Sequence, residues 1–254
     1  MLKIDLKTFL YRIRFLFRGY PKEFSGFSFL IDESLRRLNL GNEDDFIRHM
    51  IKFLPKDGVF IDVGANLGIH SIIAASHMGK GCKVIAVEPI KSNQKLLHKN
   101  IKLNKLSERI TLIPSALSSK KGIQKMYFED GFSPAASFKS EPFLNNAVKV
   151  PTETLDSIIF SHKLIPNLIK IDVEGAEYEV LKGGKKTLSI TNNLLIEIHN
   201  YKLSEFETSL DEILSFLKEF GFKSKILAEY NNQTGLNYSH YFFTKNNLNS
   251  NKLI

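Results

Sequence analysis

Residues 59–68 read Val-Phe-Ile-Asp-Val-Gly-Ala-Asn-Leu-Gly, and this stretch decides the fold of the chain. The apolar run at 59–63 predicts a buried strand, and Gly64 and Gly68 predict a tight turn directly after it. Apolar side chains then recur at helical spacing over residues 69–74. A strand, a glycine-containing turn and a helix form the front end of a nucleotide-binding α/β unit.

The residues of this turn indicate which nucleotide binds. Dinucleotide folds use the pattern G-x-G-x-x-G, which leaves bare backbone where a pyrophosphate meets the helix N-terminus. Here Asn66 takes the place of the second glycine, and Asp62 places a carboxylate at the strand end. This combination repels a pyrophosphate but suits a ligand with an ammonium group and no phosphate, such as S-adenosylmethionine. We therefore expect five residues of the motif to bind this cofactor: Asp62, Gly64, Ala65, Asn66 and Gly68.

A second acid follows at the spacing that one βαβ unit requires. The next apolar run, at 83–88, ends in Glu88, and an acid at this place accepts hydrogen bonds from ribose hydroxyls in α/β nucleotide folds. The alternative is that Asp62 caps a helix and Glu88 is a solvated strand end. It is weaker because the two acids fall at matching positions of one unit. A third strand at 110–114 leads to the expected adenine edge. The rest of the cofactor site is then Glu88, Pro89, Ser115 and Ala116.

The bulk composition narrows the class of protein. The chain has 254 residues, of which 43% are hydrophobic, which is enough for one α/β domain with additions. Its single cysteine, Cys82, excludes a disulfide framework and a cysteine-based zinc site, and favours a reducing compartment. The net charge of +8 fits either solubility or an acidic partner such as anionic lipid, nucleic acid or a nucleotide-linked sugar. With no long apolar run or secretory signal, we expect a cytoplasmic protein.

The order of predicted elements gives the fold class. We expect an α/β fold of the class I methyltransferase (Rossmann-like) type, with a mostly parallel sheet, helices on both faces and a C-terminal antiparallel hairpin. The domain is predicted at 55–245, after an N-terminal helical and extended extension at 1–54 and before a disordered tail at 246–254. An insertion at 116–160 is interpreted as a lid or an acceptor-site element. The other predicted elements are helices at 68–78, 91–103, 176–188 and 206–219, strands at 168–172 and 194–198, and hairpin strands at 223–229 and 238–244.

The first eighteen residues form a predicted basic amphipathic helix. Its apolar positions fall at helical spacing, and lysines and arginines occupy most of the others. Such a helix fits peripheral contact with the inner face of a membrane through residues 1–18. It equally fits a helix packed on the protein's own core or one partner helix of a dimer, and amphipathic helices of these kinds are far commoner in soluble proteins.

Three segments resemble the FkbM family of S-adenosylmethionine-dependent methyltransferases. Residues 60–68 are similar to its first motif, residues 150–156 to the segment before its fourth strand, and residues 171–177, Ile-Asp-Val-Glu-Gly-Ala-Glu, to its hallmark. The resemblance runs from about residue 54 to residue 244. It implies O-methylation of a small-molecule or glycan hydroxyl, often on sugars, glycolipids or secondary metabolites, and it does not fix the acceptor.

Other functions remain as alternatives. An N-methyltransferase or nucleic-acid methyltransferase could use the same fold, but the turn after the fourth strand reads Asp172-Val-Glu-Gly rather than Asn- or Asp-Pro-Pro-aromatic. Cytosine C5 chemistry needs a cysteine nucleophile, and Cys82 is predicted on the opposite edge of the sheet. Nucleic acid is therefore an unfavoured partner. A non-catalytic module that only binds the cofactor is a further alternative.

The candidate catalytic residues come from the ends of the fourth and fifth strands. His199 is the preferred general base, because its unperturbed pKa is near neutrality. Glu174 is the second choice, and Asp172 is expected to face the cofactor or to orient His199. In the alternative, His199 bonds a backbone carbonyl, and the acids cap the following helix. A divalent metal on Asp172, Glu174 and His199 is a further alternative, but no short ligand motif demands it, so no metal is predicted.

Overall fold

The computed structural model of the protein describes residues 15, 18–38, 43–128, 136–140, 144–231 and 237–246. Most of the predicted N-terminal helix and nearly all of the predicted C-terminal tail lie outside this range. Of the described helices, none is long and apolar enough to cross a membrane.

A seven-stranded sheet forms the centre of the molecule. Its order is β11-β12-β10-β9-β3-β4-β5, with parallel pairing from β10 to β5 and antiparallel pairing of β12 with both β10 and β11. The predicted class I methyltransferase fold, with its C-terminal hairpin, is confirmed. The strands are β3 (Val59–Val63), β4 (Lys83–Val87), β5 (Ile110–Ile113), β9 (Leu168–Ile171), β10 (Asn193–Ile198), β11 (Lys223–Asn231) and β12 (Asn237–Thr244).

Two apolar cores lie on the two faces of this sheet. The side chains of β3 alternate between them, with Phe60 in one cluster and Ile61 in the other, as the two-residue period of a strand requires. Both faces are covered because every parallel connection passes through a helix. The helices of the domain are α2 (Ile69–His77), α3 (Lys91–Leu103), α4 (Leu155–Ser161), α5 (Glu177–Lys182), α6 (Lys185–Ile190) and α7 (Leu210–Glu219).

Residues before β3 pack on the same sheet. A hairpin of β1 (Tyr20–Phe24) and β2 (Phe27–Ile31) forms within the extension that was predicted at 1–54. Helix α1 (Glu43–Phe53) buries Phe46, Ile47 and Met50 in the core that also contains Phe60. The described part of the extension therefore shares its core with the domain.

The insertion after β5 forms a small sheet of its own. Its order is β6-β8-β7, from β6 (Ala116–Leu117), β7 (Gly122–Phe128) and β8 (Asn146–Glu153). Met126 and Val150 are buried with Ala116 and Ile90 in a third, smaller cluster. This cluster fixes the inserted sheet beside the end of β4.

Two predicted helices have different bounds. The helix predicted at 176–188 is two helices, α5 and α6, which break at Gly183 and Gly184. A Cβ at Gly183 would lie 2.2 Å from the carbonyl oxygen of Ser118, so close approach of the insertion requires glycine there. The helix predicted from 206 begins at Leu210, where Ser209 and Glu212 form a capping box. A 3-10 helix occupies Asn200–Phe206 instead.

Candidate active site

The ends of β3 and β9 meet in unusually close contact. A Cβ at Gly64 would lie 1.8 Å from the carbonyl oxygen of Asp172, and Gly64 has a φ of +74°. Only glycine fits such a position. Asn66 and Glu174, one on each strand-end loop, also have left-handed φ values of 50° and 57°. Strained non-glycine residues of this kind cluster at functional sites, so both loops are candidates for ligand contact.

A buried lysine joins these two strand ends. Nζ of Lys170 donates to the carbonyl oxygen of Gly64 at 2.9 Å and lies 3.2 Å from a carboxylate oxygen of both Asp62 and Asp172. Lys170 is 1% exposed. Burial by itself lowers the pKa of Lys170, but the two aspartates outweigh it and raise that pKa, so the lysine is charged.

Asp62 does not face a cavity, in contrast to the sequence-based expectation. Its side chain is fully buried, and Oδ2 accepts a hydrogen bond from Ser71 Oγ at 2.6 Å while Oδ1 faces Lys170. The Asp62 side chain is therefore surrounded by protein atoms in this structure. Asp62 acts through Lys170, which in turn positions the carbonyl oxygen of Gly64.

Glu88 lies at the end of β4 and lines a cavity that we call the Glu88 cavity. One carboxylate oxygen accepts from the backbone N–H of Asn66 at 2.9 Å, and the other accepts from the N–H of Ile90 at 2.9 Å. Burial raises the pKa of Glu88 to about 7, against the lowering effect of these hydrogen bonds. The side chain thus holds the loop after β3 in place and presents a carboxyl group to the cavity.

The other wall of the Glu88 cavity comes from the inserted sheet. The insertion contributes the apolar side chains of Met126 and Phe138, and Ser115 has a buried hydroxyl with no hydrogen-bond partner among the described residues. The described residues of the insertion therefore line the predicted cofactor side of the site, and its expected role as a lid or an acceptor-site element stays a prediction. The predicted cofactor residues that line this cavity are Gly64, Asn66, Glu88, Pro89, Ser115 and Ala116.

A second cavity, the Glu43 cavity, opens on the other side of the strand ends. Glu43 and Ile47 of helix α1 line it together with His70, Lys170 and Glu197. Four residues belong to both cavities, so the two spaces meet there: Gly64, Asn66, Asp172 and Glu174. Ala65 also lines the Glu43 cavity, whereas Gly68 lines neither and serves as the N-cap of α2 against Leu97.

His199 sits behind the carboxylates and lines neither of these two cavities. Its side chain is buried, and Nδ1 lies 2.9 Å from Oε1 of Glu177, which also accepts from the N–H of Gly175. Nε2 lies 3.5 Å from Glu174 and 3.4 Å from Glu197. Glu177 therefore bonds Nδ1 of His199, whereas Asp172, which was expected to face the cofactor or to orient His199, lines both cavities.

The charge on His199 also differs from the expectation of a near-neutral pKa. Burial lowers the pKa of His199, but the carboxylates of Glu174, Glu177 and Glu197 raise it to about 10. The imidazole is therefore protonated at neutral pH, and it has no free nitrogen to accept a proton. Its charge instead stabilises the carboxylates around it.

Asp172 and Glu174 present the carboxylates nearest to the junction of the two cavities. Lys170 outweighs the effect of burial and lowers the pKa of Asp172. Glu174 accepts a hydrogen bond from Lys202 at 2.7 Å, and Lys202 is itself buried. Ligand atoms of Asp172, Glu174 and His199 lie within 4.8 Å of one another, so the three have the spacing to hold a metal ion.

Sequence reasoning missed the cations of this site. Lys170 interrupts an otherwise apolar strand, and a lone lysine in a buried strand is the signal that could have identified it. Lys202 and His70 lie in segments with no such pattern. Glu43 precedes the recognised motifs in the chain, so nothing in the sequence connects it with the site.

The chain matches known methyltransferases in sequence. Residues 62–224 match the methyltransferase FkbM domain. The chain is 33% identical over 187 residues to "Hexuronic acid methyltransferase AglP" of Haloferax volcanii, a match that covers 71% of this chain and 72% of the relative. It is 24% identical over 175 residues to "Methyltransferase sdnD" of Sordaria araneosa, covering 57% and 67% of the two chains.

The fold has counterparts among solved structures. An rRNA methylase from Streptococcus thermophilus superposes with a TM-score of 0.50 at 12% identity, covering 79% of this chain and 93% of that one. At this identity the likeness shows the fold alone. The sequence match, the strand order and the joined cavities agree, and this chain is a methyltransferase of the FkbM domain family.

Proposed function

We propose that this protein transfers a methyl group from S-adenosylmethionine to a hydroxyl oxygen of a sugar, free or in a glycan or glycolipid. The observation that carries the proposal is the junction of two cavities at the carboxyl ends of β3 and β9. In open α/β sheets, ligands bind at this edge. Group transfer needs one cavity for the cofactor and one for the acceptor, joined where the two reacting groups meet.

The Glu88 cavity suits the nucleoside part of the cofactor. Glu88 offers carboxylate oxygens for ribose hydroxyls, and Ser115 has a buried hydroxyl free to bond an adenine edge. Met126 and Phe138 offer apolar surface for the face of the base. When bound, S-adenosylmethionine supplies an electrophilic methyl group on a positively charged sulfur.

The junction suits this charge. Asp172 and Glu174 place carboxylates there, and the carbonyl oxygen of Gly64 is held by Lys170. During transfer, the acceptor oxygen forms a bond to the methyl carbon, the carbon–sulfur bond breaks with its electron pair going to sulfur, and the hydroxyl proton leaves. S-adenosylhomocysteine and the methyl ether are the products.

We assign the role of the general base, which accepts the proton of the acceptor hydroxyl, to Glu174 rather than to His199. Glu174 lines both cavities, whereas His199 lines neither and is protonated at neutral pH. His199 and Lys202 hold the Glu174 carboxylate from behind, at 3.5 Å and 2.7 Å. A positioned base contributes about 10²- to 10⁴-fold to the rate.

The choice of a sugar acceptor rests on relatives. The name of AglP states that it methylates hexuronic acid, which is a sugar derivative, and this relative covers more than two thirds of the chain. The second relative is named only as a methyltransferase. A non-catalytic binding module is disfavoured because Glu88, Asp172 and Glu174 all line the cavities, although the apolar core needs none of them.

A methyl-transfer assay tests the proposal. The purified protein is incubated with S-adenosylmethionine carrying a trideuterated methyl group and with sugar glycosides, glycolipids and small phenols, and products are found by mass spectrometry. We expect transfer to a sugar hydroxyl, lost by 10²-fold or more in Glu174→Gln and retained in Glu205→Gln, a matched change at an exposed acid. Calorimetry that shows no binding of S-adenosylhomocysteine would contradict the cofactor assignment, and transfer only to nitrogen would contradict the O-methylation.

A further inference from the structure

We propose that the Glu43 cavity is the acceptor site and that it selects a sugar without an acidic group, either neutral or carrying an amino group. This inference rests on the proposed function and names its substrate class. It contrasts with the acceptor stated in the name of the hexuronic acid methyltransferase relative.

The position of the cavity separates it from the cofactor side. It meets the Glu88 cavity only at the strand-end residues, and none of its described lining residues comes from the inserted sheet. Its outer wall consists of Leu38, Glu43 and Ile47, which precede the segment at 62–224 that matches the family domain. The acceptor wall is therefore supplied by the extension, so acceptor choice can differ between relatives that share the domain.

Carboxylates dominate the described lining of this cavity. Four acidic side chains reach it from α1, from the loop after β9 and from β10: Glu43, Asp172, Glu174 and Glu197. Leu38, Ile47 and Ile69 provide apolar surface between them. Carboxylate oxygens accept hydrogen bonds from sugar hydroxyls, and apolar patches suit the C–H face of a sugar ring.

The basic side chains of the described lining are His70 and Lys170, and both lie close to carboxylates. Nε2 of His70 lies 3.2 Å from Oε2 of Glu43. Nζ of Lys170 lies 3.2 Å from both Asp62 and Asp172, and the lysine is almost fully buried. A carboxylate on the acceptor would thus enter among like charges, because Lys170 of the described lining is already held between two aspartates, and burial weakens the screening of that repulsion.

An amino group on the acceptor has the opposite effect. A protonated amine would meet the oxygens of Glu43, whose side chain is 33% exposed and whose pKa is lowered by His70 against the effect of burial. Glu197 contributes less, because burial and Asp172 raise its pKa. Opposite charges at a partly buried site attract, so an amino sugar should bind at least as well as a neutral one.

Three matched acceptors test the inference. The p-nitrophenyl β-glycosides of glucose, of 2-amino-2-deoxyglucose and of glucuronic acid share one ring and one aglycone and differ in charge. With trideuterated S-adenosylmethionine and product detection by mass spectrometry, we expect kcat/KM for the glucoside and the amino glycoside to exceed that for the glucuronide by tenfold or more.

Charge variants of helix α1 locate the selectivity. Glu43→Lys places a cation in the wall, and we expect it to reduce the preference against the glucuronide at least tenfold while the affinity for S-adenosylhomocysteine stays the same. Glu43→Gln should shift the preference in the same direction by less, which guards against a folding defect in the lysine variant. Asp45→Lys is the control, because Asp45 is exposed in the same helical turn and does not line the cavity.

The outcomes separate this inference from the function on which it rests. Preferred methylation of the glucuronide, or an unchanged preference in both Glu43 variants, overturns the acceptor assignment and leaves the methyltransferase standing. S-adenosylhomocysteine binding without transfer to any of the three glycosides also overturns the acceptor assignment. No binding of S-adenosylhomocysteine contradicts the proposed function itself.

Discussion

Nδ1 of His199 lies 2.9 Å from Oε1 of Glu177, and both side chains are buried. This contact fixes the orientation of the ring and turns Nε2 toward Glu174 and Glu197. Three carboxylates around one imidazole make it a permanent cation at neutral pH. The histidine therefore supports the acidic side chains at the cavity junction, and its own proton is not available for exchange with an acceptor.

The pH dependence of the rate tests this role. Because the pKa of His199 is raised to about 10, its charge is present well below pH 10 and is lost as the pH rises through that value. We expect the plot of kcat against pH for the wild type to show no change between pH 6 and 8 that comes from ionisation of His199. His199→Gln should lower kcat about tenfold or more without changing the shape of the profile in that range. A limb near pH 6.5 that disappears in His199→Gln would return the base role to the histidine.

Binding of S-adenosylhomocysteine should weaken at acidic pH through Glu88. Burial raises the pKa of this carboxyl to about 7 in the cofactor-free protein, and the ionised form is the better acceptor for two ribose hydroxyls. The dissociation constant should therefore rise as the pH falls below 7, approaching tenfold per pH unit.

Substitution of Glu88 should remove that dependence. Glu88→Gln should weaken binding at pH 8 by about tenfold, or ~1.4 kcal/mol, and should make the affinity nearly independent of pH between 5 and 8. Glu108→Gln, at an exposed acid, serves as the control in the same calorimetric titration. If the wild-type affinity for S-adenosylhomocysteine is constant over this range, binding of the ribose does not depend on Glu88.

The lysine between the two strand ends should be essential for stability. Lys170→Met keeps much of the side-chain volume but leaves the buried Asp62 carboxylate without its cation. Breaking a buried pair in this way costs about 3–5 kcal/mol of unfolding free energy. Urea denaturation measures it, and Lys163→Met, at an exposed position, is the matched control. A loss below about 1 kcal/mol would mean that the contact between Lys170 and Asp62 contributes little to stability.

Close approach at Gly64 gives a prediction with an internal control. A methyl group there would meet the carbonyl oxygen of Asp172 at 1.8 Å, whereas a methyl group at Gly221 would meet nothing within 4 Å. Both glycines have φ near +80°, so Gly221→Ala measures the cost of the backbone conformation alone, about 1–2 kcal/mol. Gly64→Ala should cost several kcal/mol in denaturation and abolish binding of S-adenosylhomocysteine. Equal costs for the two variants would contradict the close contact.

Chelation distinguishes the proposed route from a metal-assisted one. The ligand atoms of Asp172, Glu174 and His199 are close enough to share an ion, but Lys170 and Lys202 are ion-paired with the two acids. We expect the methyl-transfer rate to be unchanged after treatment with EDTA and gel filtration. Loss of activity that Mg²⁺ restores would place a metal at these three residues.

The sequence by itself predicted the architecture because the architecture depends on local patterns. Apolar runs, glycine turns and helical spacing place the seven strands of the central sheet within a few residues, and parallel pairing brings the ends of β3, β4, β5, β9 and β10 to one edge. Glu88, Asp172 and Glu174 could be assigned to that edge for the same reason. The break between α5 and α6 was missed because it arises from contact with Ser118, far away in the chain.

Tertiary structure alone decided what the side chains at that edge do. Asp62 and His199 were predicted to meet ligands from their positions at strand ends, but the packing of Lys170, Ser71 and Glu177 around them buries both. The sequence did not identify Glu43 as a site residue, because its place in the cavity depends on how α1 packs on the sheet. The type and position of each strand and helix follow from periodicity along the chain, whereas the charge and exposure of a side chain depend on neighbours from distant segments, which no local pattern records.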